Sequence, residues 1–101
     1  MKSVYLLQSD SGLYKIGVSK NPSKRVRQLQ TGNGEKIRLI YSFETDIPFL
    51  VEQSLQNHFM MYKVNGEWFN LSLEDELEFL NLCQKSNENI KRLLESGNLF
   101  L

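Results

Sequence analysis

Tyr5, Lys15, Gly17, Arg25 and Glu52 are the residues whose types and order could act on a phosphate group. An arginine presents a planar fork of donors that fits the non-bridging oxygens of a phosphate. A carboxylate is the ligand that a hard divalent ion prefers, and a lysine donates to phosphate as a point charge. A phenol orients water, and it takes a proton from water only if its pKa is brought down from about 10. Each residue also has an ordinary reading. Tyrosine in an apolar strand fills a sheet face, arginine on a charged helix is solvated, and Glu52 beside Val51 serves equally as a surface helix carboxylate. Gly17 matters under either reading, because a glycine inside a strand marks a bulge or a close approach.

The elements that must hold these residues follow from local patterning. Lys2 to Gln8 and Leu13 to Val18 are β-prone runs joined by Asp10-Ser11-Gly12, which predicts an N-terminal hairpin. Asn21-Pro22 opens a helix running to about Gln30, with Asn as cap and Pro in the first turn. Thr31-Gly32-Asn33-Gly34 ends it, with a glycine suited to a left-handed cap. Val26 and Leu29 form its thin apolar stripe.

Ile37 to Glu44 alternates Ile37, Leu39, Tyr41 and Phe43 against Arg38, Ile40, Ser42 and Glu44, as a third strand would. Asp46 and Pro48 open a second helix to about Tyr62, with Val51, Leu55, Phe59 and Tyr62 inward. Asn65 to Phe69 is a turn into a short extended piece. Ser72 caps a third helix, with Asp75 completing a capping box and Leu73, Leu77 and Leu80 facing inward. A short last helix over Asn87 to Glu95 precedes the apolar tail Leu99-Phe100-Leu101. The expected fold is α+β, a small, mostly antiparallel three-stranded sheet flanked by helices.

Composition narrows the class without naming a function. One hundred and one residues make one modest core. No apolar run nears the roughly 18 residues of a membrane span, and the N-terminus lacks a signal-peptide core. A single cysteine, Cys83, forms no internal disulfide and reads as a small core residue, so cytoplasm is the default location. The net charge is zero, yet residues 1 to 47 hold eight Lys/Arg against four Asp/Glu, and the remainder holds four against eight. That asymmetry permits a basic face on one side of the molecule.

Taken together, the five residues resemble the GIY-YIG nuclease superfamily. Val4-Tyr5 resembles its first motif, Lys15-Ile16-Gly17 its second, Arg25 its helical arginine and Glu52 its metal-binding glutamate. Twelve residues separate Tyr5 from Gly17 and eight separate Gly17 from Arg25, both typical of that superfamily. Tyr14-Lys15-Ile16-Gly17-Val18 and Gly66-Glu67-Trp68-Phe69 look like a small subgroup associated with phages and bacteria. The resemblance covers residues 2 to about 71. It implies a nuclease or DNA-binding core over 1–71 and a C-terminal helical extension, 72–101, packed on the same domain.

The resemblance implies a metal-dependent DNA endonuclease. Tyr5 would orient or deprotonate the water, Arg25 would clamp the phosphate, and Glu52 would hold one Mg²⁺ or Mn²⁺. Lys20, Lys24, Arg27 and Gln28 would extend DNA binding in a sequence-tolerant, salt-sensitive way. DNA is the partner, with no membrane and no small-molecule cofactor; a homodimer or a protein partner would supply specificity.

Three departures temper the expected cutting. Lys15 stands where the second motif usually has tyrosine, and Tyr14, one residue earlier, faces the other side of the strand. Val18 replaces a common lysine, and Leu29 a tyrosine. Asn65 is a candidate for a late asparagine of the family. The alternative is therefore a DNA-binding module of the same fold that cleaves little or not at all; an unrelated α+β interaction protein is the third reading. His58 is expected on the packed side of its helix, and Trp68 with Phe69 is expected to fill core beside the third helix. Trp68 stacking on a base is the minority reading.

Overall fold

The computed structural model of the chain describes residues 1–97; the apolar tail Leu99 to Leu101 lies outside them. The elements run β1 (Lys2–Ser9), β2 (Tyr14–Ser19), α1 (Pro22–Thr31), β3 (Ile37–Thr45), α2 (Pro48–His58), a 3-10 turn (Met60–Tyr62), β4 (Trp68–Phe69) and α3 (Leu73–Glu95). The α+β class stands, with a fourth strand added. The sheet order is β3-β1-β2-β4, and every pairing is antiparallel. The short extended piece at Trp68–Phe69 pairs with Tyr14 and Lys15, so it is an edge strand.

β1 sits at the centre and is buried almost throughout. Its two faces feed separate clusters. Val4 and Leu6 join Tyr14, Ile16, Val51, Leu55, Phe59, Phe69, Phe79 and Cys83 in the larger core beneath α2 and α3. Tyr5, Leu7 and Ile37 make a smaller one, packed by Val26 and Leu29 of α1, by Leu39 and by Trp68. The hairpin forms as its turn chemistry requires, with Gly12 at φ 93°.

β3 corrects the expected alternation. Its register against β1 jumps between Leu6 and Leu7, where Leu6 faces Tyr41 and Leu7 faces Leu39. The extra residue, Ile40, makes a β-bulge, and a one-residue insertion flips every later side chain to the opposite face. Ile37 and Leu39 therefore serve the smaller cluster, while Tyr41 and Phe43 pack on the larger.

Capping explains where the helices begin. Asn21 accepts a hydrogen bond from the Lys24 amide at 3.1 Å, as its position before Pro22 requires. Ser72 and Asp75 form the reciprocal capping box. Asp46 does not cap α2. Ile47 is the cap residue without a side-chain bond, and the buried Thr45 hydroxyl accepts from the Ile47 amide while donating to Asn87 at 2.7 Å. Asp46 instead pairs with Lys91 at 2.8 Å.

Several helical details differ from expectation. Gly32 ends α1 at φ −97°, not in the left-handed region. α2 stops at His58, Tyr62 is exposed as the last residue of the 3-10 turn, and His58 is exposed as well, with its ring edge-on to Phe59. α3 is one helix rather than two. Its inward side is Phe79 and Cys83, with Leu82 and Ile90 alongside, whereas Leu73 and Leu77 are 65% and 61% exposed and Leu80 is 38% exposed. A stripe of leucines satisfies helical spacing as well as Phe79 and Cys83 do, and only the neighbours decide which stripe is covered. Among the described residues no helix is long and apolar enough to cross a membrane.

Candidate active site at the open edge of β2

β4 covers only the first two residues of β2. From Ile16 onward that edge is unpaired, and α1 approaches it from one face of the sheet and α2 from the other. A polar cleft of about 220 Å³ fills the gap, lined by Tyr5, Lys15, Ile16, Gly17, Val18, Arg25, Glu52, Gln56 and Glu67. Each wall has a local origin. β1 and β2 pair Tyr5 with Gly17 and Leu7 with Lys15. α1 contributes Arg25, one turn in from its Asn21 cap, and α2 contributes Glu52 and Gln56, one turn apart.

Tyr5 is 2% exposed. Its ring lies across Gly17 so closely that a Cβ built there would fall on the phenol. This is the close approach that a strand glycine signals, and no bulge occurs at Gly17. The Tyr5 hydroxyl makes no hydrogen bond among the described residues. No side-chain nitrogen or oxygen there is both sealed and unpartnered, so the hydroxyl reaches the cleft's surface while the ring is packed.

Lys15 is engaged by Glu67, with Nζ 2.8 Å from Oε2. The Lys15 side chain is 16% exposed and that of Glu67 is 70%. The hydrogen bond from Lys15, then its charge, hold the Glu67 carboxyl below the usual range, and Lys63 and Arg25 pull the same way. Glu52 behaves oppositely. Burial first, then repulsion from Glu67, raises its carboxyl above the usual value. Among the described residues Glu52 has no ion-pair partner, and neither has Arg25.

The larger core holds Tyr14, as strand alternation requires. Its hydroxyl donates to Glu76 Oε1 at 2.6 Å, and burial, then that bond, push its pKa up to about 12. It is committed to α3 and cannot replace a cleft phenol.

Tyr5, Lys15, Gly17, Arg25 and Glu52 thus share one cleft. Lys20, Lys24 and Arg27 are exposed and do not line it, and Gln28 lines a neighbouring groove. Asn65 and His58 are not cleft residues. Trp68 packs on the α1 side of the sheet, not beside α3; Phe69, on the opposite face, is the one that fills core there. Two cleft residues escape sequence reasoning, Gln56 and Glu67. Glu67 stands one position before the β4 strand that pairs with Lys15, so its signal lies in recognising Trp68–Phe69 as a strand. Gln56 follows Glu52 by one helical turn, and its amide reaches the unpaired Ile16 carbonyl at 3.5 Å.

The arrangement defines a small antiparallel α+β domain with a mixed-charge cleft at a sheet edge. The model of the T5orf172 domain matches residues 2–84, and the chain belongs to that family, a phage-associated domain related to nuclease-like folds. Compared with curated proteins and with solved structures, the chain matches none.

Proposed function

We propose that the protein is a metal-dependent DNA endonuclease of GIY-YIG type. The observation that supports this is the single cleft shared by Tyr5, Arg25 and Glu52, with a phenol, a guanidinium and a carboxylate around one space. Hydrolysis joins a water oxygen to phosphorus and breaks the bond to the 3′-oxygen, which departs with a proton. Arg25, free of a carboxylate partner among the described residues, clamps two non-bridging oxygens with its donor fork. The Tyr5 hydroxyl, carried by a ring packed across Gly17, orients the attacking water.

Glu52 fits a divalent ion, for its half-buried carboxyl is raised by burial and by Glu67, and a nearby cation would favour the ionised form against both. No three His, Cys, Asp or Glu side chains gather among the described residues. Water and phosphate oxygens must then complete the shell, which suits Mg²⁺ or Mn²⁺. The ion would supply charge stabilisation at the departing oxygen. Lys20, Lys24 and Arg27 provide an exposed basic flank for neighbouring phosphates, whose contacts weaken with salt.

A second reading, a DNA-binding module that cleaves weakly, is favoured by the Lys15–Glu67 ion pair. That pair removes Lys15 from the charge available to phosphate. Plasmid nicking separates the two. The nuclease reading expects Mg²⁺- or Mn²⁺-dependent nicks that Glu52→Gln and Tyr5→Phe abolish while circular dichroism stays unchanged. Gel shifts without nicks under either metal favour the binding module.

A further inference from the structure

A second concavity lies beside the cleft. Lys15 lines both: on one side it faces Tyr5, Arg25 and Glu52, and on the other a groove of about 270 Å³. Leu7, Ile37 and Leu29 make the apolar part of that groove, Trp68 stands at its wall, and the amides of Gln28 and Asn33 are at its rim. Trp68 and Asn33 also line a third hollow of similar size beyond. The indole is therefore only half-buried, whereas Phe69 beside it is sealed in the larger core.

The rim is a built structure. The Gln30 amide donates to the Glu35 carbonyl at 2.8 Å and accepts from the Ile37 amide at 2.8 Å, fixing the loop after α1. Asn33 Oδ1 accepts from the Glu35 amide at 3.1 Å. Its Nδ2 has no partner among the described residues and remains a donor.

We propose that this groove takes one unstacked nucleobase, next to the phosphate held in the cleft, and that the preferred substrate is DNA with unpaired bases. The inference rests on the DNA-directed reading above. An apolar floor rejects phosphate and sugar but accepts a base, the uncovered part of a half-buried indole offers a stacking face, and an amide rim meets a base's polar edge. Lys15, a wall of both spaces, puts the base next to the phosphate of the same strand. The volume falls just below the roughly 300–1,000 Å³ of sites for drug-sized ligands, so it suits one ring system. A base inside intact duplex must first leave its stack, and a single-stranded base need not.

The chain has one tryptophan, so the emission comes from Trp68 alone, at the wall of this groove. The wild type is titrated in EDTA with end-labelled oligo-dT, with an abasic oligomer of equal length and with intact duplex, following anisotropy and emission together. Oligo-dT is expected to quench Trp68 and to bind about tenfold more tightly than the abasic strand, which leaves emission unchanged. Trp68→Leu should narrow the gap in affinity between oligo-dT and the abasic strand, and Trp68→Phe should retain part of it. Equal affinity and unaltered emission for both strands would overturn the subsite while leaving DNA binding intact. No binding of any oligomer at low salt would overturn the DNA reading, and the subsite with it.

Discussion

The Tyr5 phenol occupies the space that a side chain at position 17 would need. The pairing of Tyr5 with Gly17 across β1 and β2 is therefore both a packing contact and the means by which the hydroxyl is aimed. Gly17→Ala should cost about 1–3 kcal/mol through overpacking and displace the ring. In a Tyr5→Leu background the cost should shrink, because the clashing atoms are gone. Urea unfolding of the four proteins in that cycle measures the coupling; a cost independent of residue 5 would refute it.

Glu67 competes with any phosphate for Lys15. Glu67→Gln should free the ammonium and tighten duplex binding at low salt about threefold to tenfold. It should also steepen the dependence of log K on log salt by about 0.9, the increment for one more neutralised phosphate. Anisotropy titrations at several salt concentrations test both. An unchanged slope means that Lys15 does not meet DNA.

Glu52 is a carboxylate whose ionised form is disfavoured in the fold. Its folded pKa lies above the unfolded one, so its contribution to stability is present below the usual carboxylate range. That contribution is lost as pH rises through the folded value. Glu52→Gln, a neutral stand-in, should melt slightly higher than the wild type at pH 7 and equally near pH 3.5. With an oligonucleotide present to complete the shell, Mg²⁺ should raise the melting temperature of the wild type and not of the variant. Identical melting curves at neutral pH would contradict the first expectation, and an equal Mg²⁺ effect the second.

Tyr14 provides a pH signature remote from the cleft. With its pKa raised to about 12, it contributes stability that is complete below about pH 10, the unfolded value. That stability disappears as pH climbs through about 12. Ultraviolet titration should show one phenol among the four tyrosines ionising near 12, and Tyr14→Phe should abolish that step. If the late step survives in the variant, the assignment to Tyr14 fails.

Much of this framework was legible in local chemistry. Asn21-Pro22, Ser72 with Asp75, and the turn before Leu13 act over three or four residues, so the signal and its structural partner lie together in the chain. The bulge at Ile40 was not legible, because alternation reads identically until β1 supplies a register. The choice of Phe79 and Cys83 over Leu73 and Leu77 depended on where α2 and the sheet lay. The cleft was half legible. The resemblance in motif order and spacing brought forward Tyr5, Lys15, Arg25 and Glu52, but the Lys15–Glu67 contact joins residues 52 positions apart and needs β4 to exist.

The two faces of β1 have different owners. One belongs to α2 and α3 and buries Phe59, Phe69 and Phe79; the other, thinner and more polar, carries Tyr5, Leu7 and the groove. Substitutions on the thin side leave the heavy aromatic packing untouched. The polar side chains around the open edge of β2 can therefore be exchanged without touching the packing that holds α2 and α3 on the sheet.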